Sequence, residues 1–395
     1  MIKSALLVSP EPIGKTLTGL GKRAEQLRQL LLHLGYQTEV VENRVLSSLK
    51  HSHKFCIANV FDVATSLTIQ NLKIPVITDL YTPFFLENIP QNRDETDLRL
   101  LKSAVENSHG YICAPGRQYD MYFGILYALG GINYAKKLHA LPFFLEPQIC
   151  KPSIKKIRHI AWIGGFWEWF YPEPFLCSVR EILFQHPDVH ISFAGIEHPR
   201  TAPNGYNFKA LQQAQKLSLE FSDRVKILPW LHSPEYASFL NSVDLAIVQH
   251  RNDYEATYCI RTRYCELLEQ QIPMITSSGG YFEPYIKSGN LGLFVDDSTA
   301  LKDCLEKIIL NGFANRNYAE IYREHKKENI ADSFGVYLNH VLSVKPLLKK
   351  ASFSESPLVR FGRKMSRLVR KLRTESRPDT NPESFSPRPD EWHPR

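Results

Sequence analysis

The sequence predicts an α/β protein with two doubly wound parallel sheets, followed by a basic helix and a disordered tail. Within residues 2–41, a strand pattern, a glycine-containing loop, a helical pattern and a second strand pattern follow one another, which is the order of a βαβ unit. A second alternating series begins at residue 159, after a proline-punctuated linker at 147–157. We therefore predict domains at 1–150 and 151–345, with 351–395 appended.

Short apolar runs bounded by turn residues predict the strands, and apolar residues at helical spacing predict the helices between them. In the first domain the strands are expected at 2–9, 38–41, 55–60, 75–80 and 110–114, and the helices at 24–34, 98–105 and 122–130. In the second the strands are expected at 159–163, 189–194, 225–228, 245–248, 274–276 and 293–295. Its helices are expected at 173–185, 207–220, 234–241, 261–270, 299–311 and 316–345.

The composition is that of a globular protein, with 43% hydrophobic and 23% charged residues. No apolar run approaches the ~18 residues that a membrane span needs. The first residues are interpreted as a strand rather than a secretory signal. The 7 cysteines are odd in number and scattered, so we expect reduced thiols in a cytoplasmic protein rather than disulfides or a zinc site.

The net charge of +7 is carried by one segment, because residues 357–373 hold seven Lys and Arg and no acid. The neutral remainder argues against nucleic-acid binding by the folded domains. Apolar residues at three- and four-residue spacing in 357–373 predict a basic amphipathic helix, which would either contact an anionic membrane surface or pack on the body with a solvated face. The proline-rich residues 374–395 are expected to be disordered.

The candidate site begins after the strand at 245–248. Glu255 and Glu266 bracket the entry of a helical segment that also carries Arg261 and Arg263. A helix N-terminus offers free N–H groups and a positive dipole end to an anion, and a carboxylate there can accept hydrogen bonds from sugar hydroxyls. The pattern therefore predicts a nucleotide-sugar donor site, with an ordinary strand–helix connection and solvated charges as the alternative.

Glycine-containing loops follow other strand ends. Gly164-Gly165 precedes Trp167, Glu168 and Trp169 at the end of the first strand of the second domain. These side chains would either form the wall of a cleft or pack between the domains. Similar loops contain Gly279-Gly280 and Gly19 with Gly21. These glycines would either let the backbone approach a ligand closely or simply form a turn. No GxGxxG and no Asp-X-Asp occurs, so neither a nicotinamide cofactor nor a metal-bridged diphosphate is expected.

Several motifs in order resemble the GT-B glycosyltransferases, in particular the family 4 (group 1) type and a bacterial subgroup from polysaccharide gene clusters. The likeness covers nearly all of residues 1–345. It is carried by Asp79-Leu80-Tyr81-Thr82-Pro83 with Glu87, Cys113-Ala114 with Arg117-Gln118, residues 162–169, His198-Pro199, and Glu255 with Arg261-Thr262-Arg263 and Glu266.

The resemblance implies two Rossmann-like domains facing a cleft, and a retaining hexosyltransferase-type enzyme (EC 2.4) without a metal cofactor. The enzyme would move a sugar from a nucleoside diphosphate sugar to a glycan or lipid-linked acceptor in cell-surface polysaccharide biosynthesis. It would work in the cytoplasm or at the inner face of the cell membrane.

The resemblance also implies roles for individual residues. Glu266 would hold the nucleotide ribose and Glu255 would face the donor sugar. Arg261 and Arg263 would lie near the diphosphate, with the loops at Gly164, Gly165, Gly279 and Gly280 also on the donor side. Gly19, Gly21 and Arg117 would lie near donor or acceptor.

Asp79 is predicted to act on the acceptor side, because it ends a strand that faces the cleft. It would act either as a catalytic base or by orienting the acceptor. The Arg and Lys that the family usually places after the first strand of the second domain are absent near Gly165 and Phe170. Because of that departure, a second interpretation remains open besides the enzyme. It is a non-catalytic GT-B protein that binds nucleotide or glycan as part of an assembly complex. A sugar-nucleotide epimerase is a third alternative, against which the Glu255–Glu266 segment speaks.

Overall fold

The computed structural model describes residues 3–10, 18–42, 53–59, 74–87, 94–148, 156–196 and 206–343, which belong to one compact unit, Met1–Ala351. Two six-stranded parallel sheets organise this unit, and we call each sheet with its helices a lobe. The predicted basic helix at 357–373, the predicted disordered tail and His198-Pro199 lie outside the described residues.

The first lobe contains a sheet with the strand order β2-β1-β3-β4-β5-β6. Its strands are β1 (Ser4–Ser9), β2 (Gln37–Glu42), β3 (Phe55–Asn59), β4 (Val76–Asp79), β5 (Gly110–Cys113) and β6 (Leu138–Ala140). β3, β4 and β5 are buried along their whole length. Continuous burial is expected for parallel strands that are covered on both faces.

Five described helices accompany this sheet: α1 (Gly19–His33), α2 (Phe84–Glu87), α3 (Asp94–Glu106), α4 (Arg117–Gly130) and α5 (Ile132–Ala135). α1 begins at Thr18, whose Oγ1 accepts a hydrogen bond of 3.0 Å from the N–H of Gly21. α1 covers one face of the sheet through Leu27 and Leu31. α3 and α4 cover the opposite face through Leu101 and Leu126.

The second lobe contains a sheet with the strand order β12-β11-β10-β7-β8-β9. Its strands are β7 (His159–Ile163), β8 (His190–Ala194), β9 (Val225–Leu228), β10 (Leu245–Val248), β11 (Met274–Thr276) and β12 (Gly292–Phe294). Its helices are α6 (Glu173–Gln185), α7 (Phe208–Glu220), α8 (Ser233–Ser242), α9 (Tyr254–Tyr258), α10 (Thr262–Glu269), α11 (Glu283–Ser288) and α12 (Ser298–Asn311). The order reverses between β7 and β10, and ligands of such sheets bind in the crevice at that switch point.

The closing helix α14 (Lys327–Ser343) packs against the first lobe, although it follows the second sheet in sequence. Its residues Phe334 and Leu338 join the core formed by β1, β3 and α1. The hydroxyl of Tyr337 donates a 2.9 Å hydrogen bond to the carbonyl of Tyr111 in β5. The core of the first lobe is therefore completed by the end of the described chain.

Several elements differ from the sequence prediction, which contains neither the short helices α2, α5, α9 and α11 nor the strand β6. β6 was not predicted, because its three residues form no apolar run; it is a strand because its backbone pairs with β5. The single helix predicted over 316–345 is divided into α13 (Ala319–Glu324) and α14. The division occurs at His325, whose carbonyl accepts from the N–H of Leu145 at 2.9 Å and whose Nδ1 lies 2.6 Å from the carbonyl of Phe143.

Phe334→Ala should lower the free energy of unfolding by about 3–5 kcal/mol, because the ring is fully buried between α14 and the first sheet. Urea denaturation followed by circular dichroism measures the loss. Val336→Ala, on the same helix with Val336 72% exposed, should change the stability by no more than about 0.5 kcal/mol. Equal losses in the two variants would contradict the packing of α14.

Candidate functional site

The site lies where β7 and β10 end. β7 runs into Gly164 and Gly165, and Gly164 has a φ of +95°, a conformation that favours glycine. β10 runs into Gln249 and His250 and then into α9. Because the two strands are parallel neighbours, both loops emerge at the same edge of the sheet.

Glu255 and Arg261 form a buried ion pair at this edge. Arg261 Nη1 donates to Glu255 Oε1 at 2.5 Å, and Arg261 Nη2 donates to Glu255 Oε2 in a shorter contact. Their side chains are only 9% and 4% exposed. Burial alone would lower the pKa of Arg261, but the carboxylate of Glu255 holds that pKa above its ordinary value. The charge of Arg261 is thus balanced within the protein.

Arg263 lies next to this pair, against the loop that follows β7. A Cβ built on Gly164 would collide with Arg263 Nη2, so glycine is needed for the guanidinium to approach the loop. The ring of Phe170 supports both arginines, with the guanidinium carbon of Arg263 4.4 Å and that of Arg261 5.1 Å from its centroid. Phe170 itself pairs with His250 across the switch point.

Two guanidinium nitrogens at the site have no hydrogen-bond partner among the described residues: Arg263 Nη1 and Arg261 Nε, both buried. Burial, together with the nearby charge of Arg261, lowers the pKa of Arg263 to about 10, so Arg263 remains protonated at neutral pH. Enclosed donors of this kind are costly unless they are satisfied. An anion that reached Arg263 Nη1 would supply the missing acceptor.

Glu266 lies one helical turn beyond Arg263 in α10. Its Oε2 accepts a 2.7 Å hydrogen bond from the hydroxyl of Tyr236 in α8. Lys22 of the first lobe reaches the same helix and donates to Glu269 Oε2 at 2.8 Å. Although burial opposes it, the charges of Glu269 and Glu266 raise the pKa of Lys22. α1 and α10 are therefore held together by charge.

The first lobe also binds the segment that joins α9 to α10. Gln118 Nε2 donates to the carbonyl of Tyr258 at 2.9 Å, and the hydroxyl of Tyr81 donates to the carbonyl of Ile260 at 3.3 Å. A Cβ built on Gly19 would lie 3.0 Å from Thr262 Oγ1, so the two helix N-termini meet closely. Gly19 and Gly21 were predicted in a loop but lie in the first turn of α1, because Thr18 caps that helix. Gly19 is near the candidate site, while the N–H of Gly21 serves the cap.

Asp79 is 3% exposed and enclosed by its own lobe. Its Oδ2 accepts from Arg23 Nε at 3.1 Å, and its Oδ1 accepts from the N–H of Tyr81 at 3.2 Å. Arg23 also donates to the carbonyl of Leu141 at 3.0 Å. For Asp79 to act on an acceptor, this ion pair would have to open.

The predicted glycines after β11 lie beside α9. Gly279 and Gly280 have φ of +103° and +88°, and the Cβ position of Gly280 is 3.9 Å from the carbonyl of Ala256 in α9. The N–H of Gly279 donates to Glu283 Oε2 at 2.5 Å. Arg117 is exposed at the start of α4. A hydrogen bond from Lys287, and more weakly the charge of Arg117, lower the pKa of Glu283.

His250 is a site residue that the sequence did not identify. It is 2% exposed, its N–H donates to Ser277 Oγ at 3.1 Å, and its Nδ1 lies 3.2 Å from the carbonyl of Arg251. Burial and the charges of Arg261 and Arg263 lower its pKa to about 3. Its position two residues after the fully apolar strand β10 is a signal in the sequence, but a lone histidine is more often structural.

Phe170 and Lys22 were also missed. Lys22 directly follows the Gly19-Leu20-Gly21 sequence, which is a usable signal, whereas nothing in the sequence marks Phe170 as a support for two arginines. No three His, Cys, Asp or Glu side chains group as metal ligands in the described part of the chain. The helices of that part also include none long and apolar enough to cross a membrane.

No protein-family model matches the sequence, and the comparison with curated proteins finds no match. Solved structures do match. Sucrose-phosphate synthase from Thermosynechococcus elongatus gives a TM-score of 0.54 at 14% identity, covering 95% of this chain and 100% of that one. An E. coli trehalose-6-phosphate structure bound with UDP-2-fluoro glucose gives 0.57 at 10% identity, with coverages of 87% and 100%.

A UDP-forming α,α-trehalose-phosphate synthase from Burkholderia xenovorans gives a TM-score of 0.55 at 12% identity, with coverages of 83% and 81%. At such identities the likeness establishes the fold alone. The chain has the GT-B fold, which confirms the predicted architecture of two Rossmann-like sheets.

Glu255→Gln should lower the free energy of unfolding by about 3–5 kcal/mol, because the variant leaves Arg261 buried without its counter-charge. Chemical denaturation at neutral pH measures the change. Glu220→Gln breaks the exposed pair with Arg180, whose side chains are 61% (Arg180) and 36% (Glu220) exposed, and should cost at most about 1 kcal/mol. Equal effects of the two variants would contradict the importance of the buried pair.

His250 should make the protein acid-sensitive. Its folded pKa of about 3 lies below the ordinary 6.5, so the unfolded chain takes up the proton first and stability falls as the pH drops from 6.5 toward 3. His250→Asn should flatten that slope in denaturation midpoints measured across this range. His190→Asn, at an exposed position at the start of β8, should leave it unchanged. An unaltered slope in His250→Asn refutes a buried neutral imidazole.

Proposed function

We propose that the protein transfers a sugar from a nucleoside diphosphate sugar to a glycan or lipid-linked acceptor. The observation that carries the proposal is the protonated Arg263. Its guanidinium lies against Gly164 at the switch-point loop of the second sheet, and its enclosed Nη1 has no partner among the described residues. A diphosphate is the anion that this crevice suits. The fold adds support, because a solved structure with the same fold was bound with UDP-2-fluoro glucose.

The proposed chemistry is mainly electrostatic. When the bond between sugar and diphosphate breaks, negative charge builds on the leaving phosphate oxygen. Arg263 would stabilise that charge, and the free N–H groups at the start of α10 would add to it; one preorganised donor of this kind is worth about 3–4 kcal/mol. The two lobes, which already meet at Gly19 and Thr262, would exclude water that could otherwise hydrolyse the donor.

The neighbouring residues receive roles that fit their positions. Glu266 would accept hydrogen bonds from the ribose, since it lies one turn beyond Arg263. Glu255 would face the transferred sugar while fixing Arg261. Asp79 would orient the acceptor only after its ion pair with Arg23 opens.

The resemblance to retaining enzymes of polysaccharide gene clusters supports retention of anomeric configuration and a product destined for the cell surface. The seven basic residues within 357–373 support work at the inner face of the membrane. The proposal assigns no role to a metal ion.

A non-catalytic protein that binds nucleotide or glycan in an assembly complex is the second candidate. The observation that favours it is the neutralised Arg261: Glu255 already holds both of its terminal nitrogens. Only Arg263 of that pair is then available to stabilise a leaving group. Such a site could bind a nucleotide without driving bond cleavage.

Arg263→Ala should weaken binding of the cognate nucleoside diphosphate roughly 10- to 100-fold, because charge-assisted hydrogen bonds to phosphate are lost. Glu266→Ala should weaken it less, through the ribose. Calorimetric titration with uridine, guanosine and adenosine diphosphates measures both. Arg180→Ala removes an exposed arginine on α6 and is the matched control.

Unchanged affinity in Arg263→Ala or Glu266→Ala would refute the site assignment. Mass spectrometry of nucleotide-sugar mixtures incubated with the protein distinguishes the two candidate functions. Cleavage of a donor supports the transferase. Tight nucleotide binding with no cleavage, even with cell-envelope acceptors present, supports the non-catalytic protein.

A further inference from the structure

Two tryptophans lie side by side at the mouth of the switch-point crevice. Trp167 and Trp169, in the loop between β7 and α6, stack with ring centroids 5.3 Å apart and an interplanar angle of 5°. Both are only partly buried, although indoles are among the largest apolar side chains available for a core. Both indoles pack on one side against the core of the second lobe. An aromatic pair that stays partly exposed at a switch point is typical of a binding surface.

Hydrogen-bonding groups surround the tryptophan pair. Arg251, in the loop after β10, donates from its N–H to the carbonyl of Trp169 at 3.0 Å and from Nε to the carbonyl of Glu168 at 2.7 Å. Its Nη2 lies 3.4 Å from Glu173 Oε1, which also accepts from Asn207 Nδ2 at 2.7 Å. The loops on both sides of the switch point are thus joined next to Trp169.

Glu173 has an unused acceptor in this arrangement. Its Oε2 is enclosed and accepts no hydrogen bond from the described residues. The side chain of Arg251 remains 46% exposed, so its guanidinium also has donors to offer. Sugars have apolar C–H faces and an edge that carries hydroxyls. They can therefore bind to a flat apolar ring that lies beside a carboxylate, an amide and a guanidinium.

The tryptophan pair adjoins the anion site. Trp167 Nε1 lies 2.8 Å from the Cβ position of Gly165, while Arg263 rests against the preceding Gly164. Phe170 links the two groups, since its ring centroid is 6.4 Å from that of Trp169 and 4.4 Å from the guanidinium carbon of Arg263. A sugar ring attached to, or attacking beside, a phosphate at Arg263 would therefore reach the indoles.

We propose that Trp167 and Trp169, with Arg251 and Glu173, form a subsite that holds a pyranose ring beside the diphosphate. The placement of the ring rests on the proposed function, because it takes the anion at Arg263 to be the diphosphate. The ring comes either from the transferred sugar of the donor or from the terminal residue of an acceptor glycan. Both present the same chemistry to the indoles.

The test is a calorimetric comparison of the full-length protein with Trp169→Ala and Trp169→Phe. The probes are UDP, GDP and ADP, then UDP-glucose, GDP-mannose and ADP-glucose, then the neutral oligosaccharides maltotriose and chitotriose. Trp169→Ala should lower affinity for a sugar-bearing probe about tenfold, the scale of one lost ring contact, while affinity for the bare diphosphate stays within about twofold. Trp169→Phe, which keeps a ring, should recover most of the loss.

The probe class that loses affinity identifies the source of the ring. Loss with nucleotide sugars alone assigns the subsite to the donor, and loss with neutral oligosaccharides assigns it to the acceptor. Phe184→Ala removes an exposed aromatic ring from the far end of α6, 69% exposed, and should leave every affinity unchanged.

Two results overturn the subsite: no sugar-bearing probe loses affinity in Trp169→Ala, or the bare diphosphate loses as much as its sugar conjugate. Failure of every nucleotide to bind the wild-type protein would instead sink the proposed function. In that case the oligosaccharide titrations alone decide the subsite. Absence of binding by all probes refutes both proposals.

Discussion

The buried ion pair between Glu255 and Arg261 is the constraint on which the candidate site depends. It spans the break between α9 and α10 and fixes the direction in which α10 leaves the sheet. That direction places Arg263 against Gly164 and Glu266 against Tyr236. A charge pair can be kept this far from water only when both partners are held in good geometry, and Phe170 supplies the supporting surface.

The two arginines therefore differ in function although they are two residues apart. Arg261 is neutralised and shapes the site, while Arg263 Nη1 has no hydrogen-bond partner within the described part of the chain. The departure of a negatively charged leaving group is stabilised by a positive charge that is fixed in place and that no protein group already neutralises. Arg263 meets that condition, and in the proposed subsite the tryptophan pair beside Gly165 would receive the sugar.

The lobes are coupled through the same segment. Gln118 and Tyr81 of the first lobe hold carbonyl groups between α9 and α10, and Lys22 is paired with Glu269 at the end of α10. Movement of one lobe relative to the other would consequently disturb the geometry that presents Arg263. A ligand bound at Arg263 and a change in the position of the first lobe would thus affect one another.

The sequence by itself determined the two parallel sheets, because apolar runs and glycine turns are local signals, and it located the acids and arginines after β10. It did not find β6, a strand only through its pairing with β5, or the break at His325, which depends on Phe143 and Leu145. Only the tertiary structure decided that Glu255 neutralises Arg261 rather than Arg263, and that Asp79 meets Arg23 across 56 positions of the chain. Such pairings depend on which charges folding brings within a few ångströms, and spacing along the chain does not contain that information.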